Sequence, residues 1–338
     1  MRWVTWSVRG LGALILLAAV IAGGSVFLAL DWNRTHTKAT EALPFYEEGM
    51  GDGLYQVRAN NLVFRARVFG SSNDGPGVVM LHGHPETSIM WEPLASEAAA
   101  RGYRVIAFDQ RGYSPGARPQ GVDPYLADHQ VSDVLAVADV MGFDQFHLVG
   151  HDWGSVIAWA TAILHEERLT SLTTMAIPHP QTLVKDVVEE TPAYILVFSV
   201  PWFAETTLLF NDLAGYRGFY SSQTDEQIEE YLGVFSEPGA STAALNWYRG
   251  IQESIQVIDS VDPNISLPTL FIYGDEEDWV TPDYLDHQRR LVGDDYAELE
   301  LDAGHWLIQD QREAVVSAVI DHLERNTQQV ETATEEDL

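Results

Sequence analysis

Gly150-His151-Asp152-Trp153-Gly154 sets an acidic residue between two glycines. It follows four residues suited to a buried strand, Phe146 to Val149, and precedes an amphipathic run with Val156, Ile157, Ala160, Ile163 and Leu164 on one face. Strand, sharp turn and helix is the local geometry that exposes a nucleophile, and side chains at the flanking glycines would strike the adjoining strand or helix. A helix N-terminus presents unpaired N–H groups and the positive end of the dipole, which stabilise the negative charge of Asp152. The residue type narrows the chemistry. Attack of a carboxylate on an ester carbonyl would give a high-energy anhydride, whereas attack on a saturated carbon gives an ordinary ester that water can cleave. Taken alone, a G-x-D-x-G match also fits a plain turn carrying a solvated aspartate.

Three further groups bear on that choice. His82-Gly83-His84-Pro85 follows one apolar run, the acidic cluster Asp275, Glu276, Glu277 and Asp278 follows another, and Gly304-His305-Trp306 follows a third. Nucleophile, acid and histidine, in that order on successive strand ends, is the order of the α/β-hydrolase fold, which places part of its oxyanion hole after its third strand. His82 and His84 form an H-x-H pair, but no further His or Asp is placed to complete a metal site. With no cysteine in the chain, disulfides, thiolate metal sites and a Cys nucleophile are excluded. Lys and Arg total 19 against 50 Asp and Glu, a net charge of -31 that would repel a phosphate backbone, so nucleic acid is not an expected partner.

The elements that must position these groups follow from periodicity. With 338 residues, 46% of them hydrophobic, the chain can bury a large core. Leu54 to Arg58 and Leu62 to Phe69 flank Asn60-Asn61 as in an antiparallel hairpin. Short apolar runs at Val78 to Leu81, Val105 to Phe108, Phe146 to Val149, Leu172 to Ile177 and Leu270 to Tyr273 then alternate with helical segments, as in a parallel sheet covered on both faces. A last strand, Ala297 to Leu301, precedes a helix over Arg312 to Leu323. This predicts an α/β fold with a mostly parallel, eight-stranded sheet: core over 54–179 and 265–325, inserted helical cap over 180–264, linker over 31–53 and disordered acidic tail over 326–338. The cap would roof a pocket at the carboxyl ends of the strands. Before all this, Arg2 and Arg9 precede an uncharged run, Gly10 to Leu30, that would span about 30 Å as a helix. It is read as an uncleaved single-pass anchor within residues 1–30, with the catalytic domain extracytoplasmic.

HGHPETSIMW, FDQRGYSPGARP, LVGHDWGS, LNWYRG, GDEEDWV and DAGHW resemble the successive motifs of the epoxide hydrolase branch of the α/β-hydrolases, from about Tyr55 to Leu323. The resemblance implies Asp152 as nucleophile, His305 as the base, and Asp278, by register with the family pattern, as its acid partner. It implies Tyr194 and Tyr248 as cap acids and the backbone N–H groups of His84 and Trp153 as the oxyanion hole, with no cofactor or metal. The implied reaction is hydrolysis of a small lipophilic epoxide to a vicinal diol. Trp153, Trp202, Phe203 and Trp247 are expected around the substrate, as an aromatic roof. His84 departs from the aromatic residue many relatives carry, and Arg111-Gly112-Tyr113 reads as structural. A haloalkane dehalogenase would use the same aspartate with Trp153 gripping the halide. A non-catalytic ligand-binding module would share the fold.

Overall fold

A computed structural model describes residues 43–188 and 191–336. The run Gly10 to Leu30 and most of the expected linker lie outside the described residues. From Leu43 onward the chain is already part of the fold: Tyr46 N–H donates to the Gln56 carbonyl, Gln56 N–H donates to that of Pro44, and the Arg58 guanidinium lies 3.2 Å from the centre of the Phe45 ring. The linker boundary at residue 53 is corrected accordingly. Apolar contact and two backbone hydrogen bonds hold this segment against the sheet edge.

Strands β1 (Gly53–Ala59) and β2 (Leu62–Phe69) form the hairpin, turning at Asn60 and Asn61 with φ of 49° and 60°, a conformation asparagine tolerates better than most residues. Six more strands follow: β3 (Gly77–Leu81), β4 (Arg104–Phe108), β5 (Phe146–His151), β6 (Leu169–Met175), β7 (Thr269–Gly274) and β8 (Tyr296–Leu301). The order in the sheet is β1-β2-β4-β3-β5-β6-β7-β8, with β2 antiparallel to both of its neighbours and the remaining pairs parallel. β3, β5 and β7 are buried along their whole length, which is why they read as unbroken apolar runs. Helices α1 (Glu92–Ala100), α2 (Ala127–Val140) and α3 (Trp153–His165) cover the sheet, α1 on one face and α2 and α3 on the other.

From β3 the chain moves to β4 on one side, and β5 then lies on the other. This reversal opens a crevice beyond the carboxyl ends of β3 and β5, where ligands bind in open α/β sheets. Over it lie six helices: α4 (Pro180–Val188), α5 (Ala193–Ser199), α6 (Phe203–Arg217), α7 (Asp225–Phe235), α8 (Ala240–Arg249) and α9 (Ile251–Asp259). Then come α10 (Pro282–Leu291), α11 (Leu307–Asp310) and α12 (Arg312–Glu336). α12 continues well past residue 326, where a disordered tail was expected. Asn326 is buried with its amide donating to the His322 carbonyl, and Thr327 meets the His147 imidazole at 3.2 Å, so the polar residues at the expected break have partners inside the fold.

The cap is fastened to the sheet by charge. Glu230 of α7 receives the guanidinium groups of both Arg65 and Arg67 from β2, at 2.7 and 2.5 Å, and Arg65 also pairs with the buried Asp109. Burial would raise the Glu230 pKa, but the hydrogen bonds and charges of the two arginines outweigh it and hold the carboxyl at about 2. Arg111, in the loop read as structural, is buried against Asp133 at 2.6 Å. Glu230→Ala leaves two guanidinium groups without their shared anion and is predicted to destabilise the protein by about 3 kcal/mol in chemical denaturation. The depressed folded pKa means that this contribution is present above the unfolded value near 4.5 and is lost as pH falls through 2. The stability gap between wild type and variant should therefore close over that window.

Candidate active site

Asp152 sits at the apex of the turn between β5 and α3 with φ 53° and ψ -122°, a sparsely populated conformation for a residue with a Cβ. The surroundings hold it there. Its N–H donates to the Met175 carbonyl, and Ser155 Oγ bridges the carbonyls of Gly150 and Met175 at 2.8 and 2.7 Å. A Cβ on Gly83 would overlap the Asp152 carboxylate, one on Gly150 would overlap the Gly154 carbonyl, and one on Gly154 would overlap the Leu81 carbonyl. The glycines flanking Asp152 are therefore required by close contact, at ordinary backbone angles.

Asp152 Oδ1 accepts the His84 N–H at 2.6 Å, and Trp153 heads α3, where an N–H has no partner within the helix. Asp152 Oδ2 lies 3.6 Å from His305 Nε2. The other face of that imidazole corrects the expected acid: His305 Nδ1 is 2.6 Å from Glu277 Oε2, and the Asp278 side chain points to solvent. After Gly274 the chain makes a tight turn closed by Glu277 N–H to the Gly274 carbonyl, which carries residue 277 back over the strand end and turns residue 278 outward. Among the four adjacent carboxylates no residue type marks Glu277 as the partner, so the choice is visible in this turn and not in the sequence.

His305 is pushed up to about 9. Burial alone would lower it, but the hydrogen bond it donates to Glu277 and the charges of Asp152, Glu277 and Glu86 prevail. The imidazole is therefore cationic at neutral pH while Asp152 bears its charge. Behind it lies a polar pair that sequence reasoning passed over. His151 Nε2 meets the His305 carbonyl at 2.8 Å, and its Nδ1 faces Glu86 Oε2 at 3.3 Å. Glu86 is completely buried and receives Gln309 Nε2 at 2.7 Å. Its burial singles Glu86 out in the structure, and no neighbour along the chain marks it.

The cavity above Asp152 carries both cap tyrosines. Tyr248 is buried, its ring edge-on to Trp153 at 5.1 Å and 6.3 Å from the half-exposed ring of Tyr194. Burial, then the charge of Asp152, raises both phenols well above their ordinary value, so both remain protonated donors. The expected aromatic roof is only partly present. Trp153 lines the cavity, but Trp247 is buried behind it with Nε1 donating to the Arg111 carbonyl, and Trp202 and Phe203 point out of the protein. Much of the remaining wall is aliphatic, with Ile177, Leu183 of α4 and Ile251, Ile255 and Ile258 of α9, and Trp279 joins it. His82 and His84 are spent within the protein. His82 Nε2 accepts Gln110 N–H, and His84, lowered to about 3 by burial and then by His82, meets the Tyr113 hydroxyl. Among the described residues no group of three or more His, Cys, Asp or Glu side chains is arranged to hold a metal ion.

Residues 76–310 match the alpha/beta hydrolase fold family. The chain is 30% identical over 271 residues to human Epoxide hydrolase 4, covering 75% of this chain and 73% of that protein. The chain is an α/β-hydrolase of the epoxide hydrolase branch. It is also 28% identical over 303 residues to Epoxide hydrolase A of Mycobacterium tuberculosis, covering 77% of this hydrolase and 94% of that relative. The crystal structure of Epoxide Hydrolase A from Mycobacterium thermoresistibile superposes with a TM-score of 0.69 at 26% identity, over 81% of this chain and 98% of that one.

If Glu277 sets the basicity of His305, an NMR titration of the His305 ring should show a midpoint near pH 9 that falls by about one unit or more in Glu277→Gln. Asp278→Asn should leave it in place.

Proposed function

We propose that this hydrolase opens a lipophilic epoxide to a vicinal diol through an ester on Asp152. The observation that carries the reading is one carboxylate with His84 N–H on one oxygen, His305 facing the other, and two protonated phenols in the same cavity. The relatives named epoxide hydrolases support the choice of electrophile. Asp152 Oδ1, already engaged by the His84 amide, becomes the ester carbonyl oxygen, leaving Oδ2 to attack. As the new C–O bond forms, the epoxide C–O bond breaks and the oxygen takes a proton from Tyr194 or Tyr248.

Charge then sets the order of the steps. While Asp152 is anionic it helps to hold His305 as an imidazolium. Esterification removes that charge, and with it one of the influences that raise the His305 pKa, so the imidazole moves toward its neutral, basic form. Oriented by Glu277, it takes a proton from a water that adds to the ester carbon, and the His84 and Trp153 amides receive the oxyanion. Collapse expels the diol oxygen, which takes the proton held by His305, while the proton left on the Asp152 carboxyl returns to the phenolate, restoring both groups. The alternative halide grip fits less well, because two phenols, Tyr194 and Tyr248, share the cavity with Trp153. The cavity is lined by aliphatic and aromatic side chains alike, which favours a lipophilic epoxide. Among the described residues no single helix is long and apolar enough to cross a membrane, and the run Gly10 to Leu30 supports an anchored protein whose catalytic domain faces away from Arg2 and Arg9.

A single turnover in heavy-oxygen water should yield diol carrying no label, with the label retained in Asp152. Label in the diol of that first turnover would rule out the ester. Phenylalanine at Tyr194 or Tyr248 should each lower kcat/KM for an epoxide such as styrene oxide on the order of 10²-fold, and more together. Turnover of 1-bromobutane that survives both changes would favour the dehalogenase. In His305→Gln the ester should accumulate and appear by mass spectrometry as the enzyme plus one substrate.

A further inference from the structure

Helix α5 has two faces. Ile195 and Phe198 point inward, with Ile195 lining the cavity beside Tyr194, while Leu196 is 55% exposed and Val197 and Val200 join it on the outside. The chain then bends by 93° into α6. At the bend Trp202 is 79% exposed and Phe203 is 55% exposed, with Phe210 exposed further along. No charged residue stands between Glu190 and Glu205. Trp202 has φ of 70°, a conformation that costs a bulky residue of order 1–3 kcal/mol. A tryptophan held at that cost with most of its surface in water contributes nothing to the cap's own packing. Outward apolar surface concentrated on one element marks a place where something else binds.

We propose that the elbow between α5 and α6 docks into the headgroup boundary of a lipid bilayer, so that lipid-borne epoxide crosses α5 directly to Asp152. The proposal rests on the anchored-hydrolase reading above, and the chain itself names the occupant. The run Gly10 to Leu30 is long enough to span a bilayer, and residues 31–42 can extend about 40 Å at most, which keeps the domain at the membrane surface. Tryptophan and phenylalanine beside aliphatic residues are the side chains that settle at such a boundary. A net charge of -31 sets the lipid class. An anionic surface would repel the domain, so the contact is apolar burial into a zwitterionic one.

Because the chain has no cysteine, single sites can be labelled in the full-length protein. Trp202→Cys, and separately Phe203→Cys, carrying an environment-sensitive NBD fluorophore in phosphatidylcholine vesicles, should emit to the blue of the label on Ser317→Cys, an exposed position on α12. Spin-labelled lipid should quench them several-fold more than the Ser317→Cys control. Equal quenching at all three sites, with the protein retained by the vesicles after alkaline extraction, overturns the docking and leaves the anchor standing. Loss of the protein on extraction without selective quenching removes both. A blue shift insensitive to the lipid quencher, with label anisotropy falling as protein density rises, means a second copy covers the elbow and also overturns the proposal.

Discussion

A single backbone conformation organises this protein. Asp152 can hold its φ of 53° only because three glycines leave room around it and Ser155 ties the turn to two strands at once. Relaxing the turn would swing the carboxylate away from the His84 amide and from His305 together, since both contacts are made by the same planar group. The strain is therefore stored where the carboxylate must be presented, and the fully buried strands beneath it supply the rigidity that keeps it there. The reversal of strand order between β3 and β5 brings the oxyanion loop beside the turn, so topology and local strain meet at one point.

Much of this was legible in the chain. The strands β3 to β7 announce themselves as apolar runs because both of their faces are covered, and the Asn60-Asn61 turn follows from the one local conformation that pair favours. Asp152 and His305 could be read from position, because each follows a strand end at a glycine-marked turn. The acid could not be fixed in the same way. Four consecutive carboxylates follow Gly274, and which one meets the imidazole is decided by a turn whose closure depends on a three-dimensional contact. The pocket failed for a related reason. Large aromatics around a pocket are equally suited to a lining, to the layer behind it and to the outer surface, and Trp153 of α3 with Trp247 and Trp202 of the cap occupy one of each. Glu86 was missed because nothing in its neighbours along the chain signals that His151 and Gln309 will enclose it.

The pattern of charge divides the cap into two regimes. On the β2 side, arginines and carboxylates share buried ion pairs, and Arg118 with Glu237 repeats the arrangement nearby. Along α5 itself the contacts are between apolar groups, with Phe198 edge-on to Tyr248 at 5.0 Å and Tyr194 at 5.8 Å, and charge returns beyond the bend, where Glu205 of α6 meets Arg249 at 2.9 Å. Apolar contact is non-directional and tolerates small displacements, whereas a forked pair between guanidinium and carboxylate fixes an orientation.

That asymmetry gives the roof a bolted side and a yielding side. Lifting α7 would strip two guanidinium groups of their shared counter-ion in a poorly solvated place, while shifting α5 would part the apolar contacts of Ile195 and Phe198 and leave no buried charge unpaired. A molecule entering on the yielding side would have its girth gauged by Tyr194 and Ile195, which line the cavity there, before it met the carboxylate below.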